Sequence, residues 1–134
     1  MFWTDWGDNA KIEKCGMNGD AKSRQVIVSK HLGWPNGLTI DYTLNRIWWT
    51  DALSDSIQSA DFNGNHRKVI LKDESLAHPF GITVFLDNMY WTDWQESKLS
   101  RANKFTGEEK VELASNLQSV MDVVVFHRQR QPLG

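Results

Sequence analysis

Cysteine is nearly absent from this sequence: Cys15 stands alone in 134 residues, so no internal disulfide can hold the fold. No run approaches the roughly 18 apolar residues that cross a bilayer, and Asp5 falls too early for the apolar region of a signal peptide. The glycosylation pattern Asn-x-Ser/Thr does not occur, so nothing local marks an extracellular surface. Positive charge is not in excess either. With 15 Lys and Arg against 17 Asp and Glu, the formal net charge of −2 offers no basic field for nucleic acid. Gly-x-Ser-x-Gly, His-Glu-x-x-His and a phosphate-cradling glycine loop are all missing, which removes the usual sequence signs of acyl transfer, zinc proteolysis and nucleotide binding.

Tryptophan is abundant instead, with seven residues, and most of them belong to a repeat. Met1-Phe2-Trp3-Thr4-Asp5, Ile47-Trp48-Trp49-Thr50-Asp51 and Met89-Tyr90-Trp91-Thr92-Asp93 carry one motif three times. The copies lie roughly 45 residues apart, the length of one four-stranded propeller blade. Each motif lies within a longer frame. Trp34-Pro35-Asn36-Gly37-Leu38-Thr39-Ile40-Asp41 and His78-Pro79-Phe80-Gly81-Ile82-Thr83-Val84-Phe85 precede two of the copies, and residues 119–126 fit the same frame in degenerate form. Ile12 to Cys15, Ile57 to Ala60 and Leu99 to Ala102 follow the motif, and then come Val26-Ile27-Val28, Val69-Ile70-Leu71 and Val111-Glu112-Leu113. Short apolar, β-branched runs separated by turn residues predict four strands per unit and an all-β architecture.

These linked motifs, with a Met121-Asp122 and Arg130-Gln131-Pro132 ending, closely resemble the six-bladed YWTD propellers of low-density-lipoprotein-receptor-related proteins. The resemblance covers essentially the whole chain. Phe2 and Trp48 stand where the family usually has Tyr, which removes a hydroxyl and keeps a ring. The resemblance implies a fragment of about three four-stranded antiparallel blades, the C-terminal half of one propeller. The expected divisions are an incomplete blade over 1–33, blades over 34–77 and 78–118, and the first strand of a closing blade over 119–126. Residues 127–134 are then an exit linker toward an EGF-like module.

Within this frame the inner strands are expected to be buried on both faces. Trp3, Trp49 and Trp91 should fill the wedges between blades, and Asp5, Asp51 and Asp93 should cap strand ends or tie blades by accepting backbone N–H bonds, because a group that recurs per blade serves structure. Cys15 aligns with Ala60 and Ala102 and is expected in a small buried slot. Asn18-Gly19 and Asn63-Gly64 read as type I′ hairpin turns, and Asn45-Arg46 and Asp87-Asn88 as the first hairpins of their units. His31, His66 and His127 read as solvated.

In an up-and-down blade the entry to the first strand and the exit from the second share one end. Large side chains there are not needed for packing, and a contiguous set of them marks an interaction site. Trp34, Asn36, His78, Phe80, Trp94 and Met121 are the expected ligand-contacting patch, with Trp6 and Ala52 at neighbouring positions. What the resemblance implies is a non-enzymatic module of an endocytic or signalling receptor. It would lie in the extracellular part of a single-pass membrane protein, binding protein or peptide ligands beside EGF-like modules, with no metal or other cofactor. Two alternatives stand beside it. One is an acid-dependent partner for the receptor's own repeats, switched by His78. The other is a calcium-dependent propeller enzyme such as a lactonase, for which Asn36, Phe80 and Met121 are too apolar at the axial entry. The chain by itself is expected to be unstable or self-associating, more as generic aggregation than as a two-copy ring, because its first and last strands lack partners.

Overall fold

The computed structural model describes residues 2–5, 9–16, 23–73, 76, 79–93 and 98–114. Its strands fall into three groups. The first comprises β1 (Phe2–Asp5), β2 (Lys11–Lys14) and β3 (Gln25–Val28). The second holds β4 (Pro35–Asp41), β5 (Arg46–Asp51), β6 (Ser56–Asp61) and β7 (Lys68–Lys72), and the third β8 (Pro79–Phe85), β9 (Asn88–Asp93), β10 (Lys98–Asn103) and β11 (Val111–Ala114). Each group is one antiparallel sheet in which neighbours in sequence are neighbours in space. These are the meanders of propeller blades, with β4 and β8 innermost. Pro35 and Pro79 begin their strands, where a missing N–H breaks no ladder.

Two apolar clusters separate the three sheets. Ile12 and Val28 of the first blade pack with Ile47, Trp49 and Ala60 of the second. Trp48, Ile57 and Ile70 of the second pack with Ile82, Val84, Met89, Trp91 and Ala102 of the third. Side chains alternate across a strand, so β5 sends Ile47 and Trp49 toward one neighbour and Trp48 toward the other. All three are fully buried. A buried tryptophan removes about 150–250 Å² from water, roughly 4–6 kcal/mol of transfer free energy before entropy is counted. Trp48 also supplies a donor where a Tyr hydroxyl was expected: its Nε1 donates to the Lys104 carbonyl at 2.8 Å.

The motif threonine joins inner strands. Gly37 N–H donates to Thr50 Oγ1 at 2.9 Å, and that hydroxyl donates to the Phe80 carbonyl of the next blade at 2.9 Å. Gly81 N–H makes the matching bond to Thr92 at 3.0 Å. The approach is close enough that a Cβ on Gly37 would stand 2.2 Å from the Phe80 oxygen.

Several expectations need correction. Asn63-Gly64 is not a two-residue type I′ turn. Of the two, only Gly64 has positive φ, at 82°, and six residues, His66 at φ 53° among them, separate β6 from β7. The loop is organised by Asp61, whose Oδ1 accepts the N–H groups of Asn63 and Asn65, both at 2.9 Å. Gly64 is required there for a second reason, since its Cβ would fall 1.8 Å from the Ile27 carbonyl of the preceding blade. The β8–β9 turn is Leu86-Asp87, one residue earlier than expected, with Leu86 at φ 54°. Cys15 and Trp3 are half-buried, whereas Ala60, Trp49, Ala102 and Trp91 in the same slots are fully buried. The latter four face a preceding blade, and no described blade precedes the first. Leu38 and Ile40 of β4 are also only half-buried, because the first sheet has no inner strand among the described residues to cover them. The Asn18-Gly19 turn and residues 119–134 lie outside the described residues.

Candidate functional site

The site is built on the end of the second blade where β4 begins and β5 finishes. Asp51, fully buried, holds the two segments together. Its Oδ2 accepts Gly33 N–H at 2.8 Å, and its Oδ1 accepts Trp34 N–H and Leu53 N–H at 3.0 Å each. Ala52 N–H donates to the Trp34 carbonyl at 3.0 Å. Asp51 is thus a tie between strand entry and strand exit, as expected of a structural carboxylate, whereas Asp5 of the first blade is exposed.

That tie fixes a backbone on which two large apolar side chains stand in water. Trp34 is 46% exposed and Leu53 57%. Asn36 and Phe80 are half-buried at the second positions of β4 and β8, which pack side by side. Trp34, Asn36 and Phe80 therefore share the entry end, as the sequence suggests. His78, Trp94 and Met121, and Trp6 with them, lie outside the described residues. Ala52 is buried and offers no contact surface. Leu53 takes its place and was missed; its signal was an apolar residue in a turn directly after the motif.

The opposite end also exposes apolar side chains, Tyr42, Leu44, Leu86 and Phe105, and two of these make ring contacts within the fold. Tyr42 meets the Phe62 ring edge-on at 6.1 Å, and Phe105 meets Trp48 at 6.4 Å. Lys104 is buried between blades, its Nζ 2.8 Å from Asp41 Oδ2 and 5.6 Å from the Trp48 ring centre. Burial raises the Asp41 pKa, yet the Lys104 bond and the N–H groups of Leu44 and Thr43 outweigh it and hold the carboxyl below its ordinary value.

A depression of about 400 Å³ near the rim is lined by His31, Ser54, Gln58, Arg67 and Lys72, among others. Arg67 is a brace there. Its Nε donates to Gln58 Oε1 at 2.9 Å, a terminal nitrogen donates to the His31 carbonyl at 2.9 Å, and the guanidinium stacks 5.3 Å from the Trp49 ring centre. Burial pushes its pKa down, with Asp51 opposing. Arg24 repeats the device in the first blade, over Trp3 at 5.5 Å and bonded to both oxygens of Glu13 at 2.7 and 2.8 Å. The Arg24 bond holds Glu13 below its ordinary pKa against burial. Sequence reading missed this pair of braces. Their signal is a cation one residue before the fourth strand. His66, read as solvated, is exposed but hydrogen-bonded to Asp61 at 2.9 Å. Among the described residues, no three His, Cys, Asp or Glu side chains converge as metal ligands would.

The low-density lipoprotein receptor repeat class B model matches residues 1–42 and 45–86, more than half of the sequence. This chain belongs to that family. The third blade lies largely beyond the matched residues, yet it repeats the strands, the registers and the Thr92 bond of the second. The vitellogenin receptor Yl of Drosophila melanogaster is 38% identical over 132 residues, 98% of this chain. The chain spans about 6% of that receptor's length. Among solved structures, a chain of a nidogen/laminin complex is similar with a TM-score of 0.77 and 29% identity, over 86% of this chain and 43% of the other. A luciferin-regenerating enzyme shares the fold alone, with a TM-score of 0.61 and 15% identity over 78% of this chain and 36% of its own. The YWTD-repeat chain is a propeller fragment of the kind found in lipoprotein-receptor relatives.

Proposed function

We propose that this family member is a non-enzymatic, extracellular module that binds protein ligands through the entry end of its blades. The observation that carries the reading is the Asp51 tie, which presents Trp34 and Leu53 to solvent on an immobilised backbone. Exposed apolar anchors lose little conformational entropy on binding when their backbone is already held. Asn36 adds an amide that both donates and accepts beside them. His78, Phe80, Trp94 and Met121 extend the patch by the recurrence of the frame. The relatives support the ligand class, since one is named as a vitellogenin receptor and another belongs to a nidogen/laminin complex. EGF-like modules are the proposed neighbours in a longer receptor.

Surface plasmon resonance against vitellogenin and laminin, with the whole propeller that contains this chain, tests the reading. Trp34→Ala is expected to weaken binding by about 2 kcal/mol or more, roughly thirty-fold, as for a central anchor. Lys68→Ala on the exposed outer strand and Tyr42→Ala at the opposite end should leave affinity unchanged. Loss of binding in Tyr42→Ala with none in Trp34→Ala would put the ligand on the other end.

A further inference from the structure

The two arginine braces differ in what neutralises them. The residue paired with the motif tryptophan is Glu13 on Trp3 in the first blade and Gln58 on Trp49 in the second. Arg24 therefore meets a carboxylate and bonds both of its oxygens, whereas Arg67 meets an amide. An amide satisfies one hydrogen bond and leaves the positive charge in place. Asp51 acts on the guanidinium electrostatically, but its oxygens are taken up by the N–H groups of Gly33, Trp34, Leu53 and Ser54. Arg67 gives three of its five N–H groups to Gln58 and to the carbonyls of Lys30 and His31, which leaves two.

A directed chain of hydrogen bonds runs outward from this cation. Because Arg67 can only donate, Gln58 turns its oxygen toward it and its NH2 group toward Ser56 Oγ, at 2.9 Å. Ser56 is buried and accepts that bond, so its own proton goes to Ser54 Oγ, 2.7 Å away. Ser54 is half-buried, and its hydroxyl proton has no acceptor among the described residues. Every donor thus points the same way, and each bond polarises the next. The chain ends in the depression of about 400 Å³ at the rim, which Arg67, His31 and Lys72 also line and which no carboxylate lines. Lys72 is exposed and makes no ion pair among the described residues.

We propose that this depression binds a carboxylate, the side chain of an acidic residue on the protein ligand. Two donors at its surface, the Ser54 hydroxyl and the Lys72 ammonium, suit the two oxygens of a carboxylate, with the uncompensated Arg67 charge behind them. The source of the carboxylate rests on the entry-end reading, because the depression adjoins the exposed Trp34 and Leu53. Gly33 packs so closely on that turn that a Cβ there would stand 2.4 Å from Leu53 Cβ, which sets the segment from His31 to Trp34 against Leu53 and Ser54. A ligand segment that fits carries an apolar side chain for Trp34 and Leu53 and an acidic one beside it for Ser54 and Lys72. At a solvated rim the charge selects among ligands more than it adds affinity.

Isothermal titration calorimetry of the whole propeller that contains this chain tests the site. The probe is acetyl-tetraglutamate amide, with acetyl-tetraglutamine amide as its neutral control, at about 20 mM salt so that screening is weak. Tetraglutamate is expected to bind at one site, and tetraglutamine is not. Lys72→Gln should weaken that binding about fivefold and Ser54→Ala about tenfold. Lys68→Gln, which removes the same charge from the same strand, should leave it unchanged. A propeller that binds neither peptide, equal losses in Lys68→Gln and Lys72→Gln, or a phosphoserine peptide bound where tetraglutamate is not would each overturn the proposal. The entry-end reading is scored separately: tetraglutamate held at Lys72 and Ser54, beside a Trp34→Ala variant that binds laminin and vitellogenin undiminished, would uphold the carboxylate site and refute that reading.

Discussion

Replacing Thr50 by valine isolates what the repeated threonine contributes. Its side chain is fully buried, and its hydroxyl accepts from Gly37 N–H while donating to the Phe80 carbonyl, both at 2.9 Å. Valine keeps the shape and orphans both groups. A buried unsatisfied donor or acceptor costs about 1–3 kcal/mol, and the added methyl returns about 1 kcal/mol. The two penalties together, less the methyl, give a net loss of about 1–5 kcal/mol, centred near 3. Serine retains both hydrogen bonds and loses one methyl, at about 1 kcal/mol. Urea unfolding at one fixed protein concentration, followed by tryptophan fluorescence, separates the two. With a slope of about 1–3 kcal/mol per molar urea, the valine midpoint should fall by about 1 M or more and the serine midpoint by less than half as much. Equal midpoints for Thr50→Val and Thr50→Ser, at unchanged slope, would show that the hydroxyl bridge between inner strands contributes nothing.

Gly64→Ala must place a Cβ 1.8 Å from the Ile27 carbonyl at φ 82°. About 1 kcal/mol for the left-handed backbone and about 1–3 for the forced shift should lower the thermal midpoint by several degrees, which calorimetry would detect. Lys104→Met leaves the half-buried Asp41 without its cation and should cost about 1–3 kcal/mol. The Lys104→Met, Asp41→Asn pair should then cost less than the two singles together, measured as a double-mutant cycle. Stability should also depend on acid pH. Asp41, Asp61 and Glu13 are held below their ordinary values by Lys104, His66 and Arg24 respectively. Their folded pKa values lie below the unfolded ones, so their stabilisation is complete above about pH 5 and is lost as pH falls through about 4 toward the depressed values. Urea midpoints measured between pH 3 and 7 should be flat at the upper end and drop at the lower. Asp41→Asn should flatten the drop.

The sequence determined the architecture because a propeller repeats it. The tryptophan wedge, threonine bridge and aspartate tie seen at Trp49, Thr50 and Asp51 belong to a motif that recurs around Thr4 and Thr92, and the recurrence advertises the blade spacing. The entry-end placement of Trp34, Asn36 and Phe80 was legible for the same reason, since alternating strand direction is a property of any meander. Only the tertiary structure decided what depends on a neighbouring blade. Cys15 and Ala60 occupy one slot in sequence and differ in burial because one faces a described blade and the other does not. Gly64 read as a turn residue, and its tighter constraint is a carbonyl from the blade before it, 37 positions earlier in the chain at Ile27. Arg67 and Arg24 recur before their fourth strands, but only the fold shows that Arg67 bonds the His31 carbonyl across the blade boundary and covers Trp49. Local pattern specifies a strand and its faces, whereas the partners of those faces are set by how blades stack around an axis, which no stretch of sequence contains.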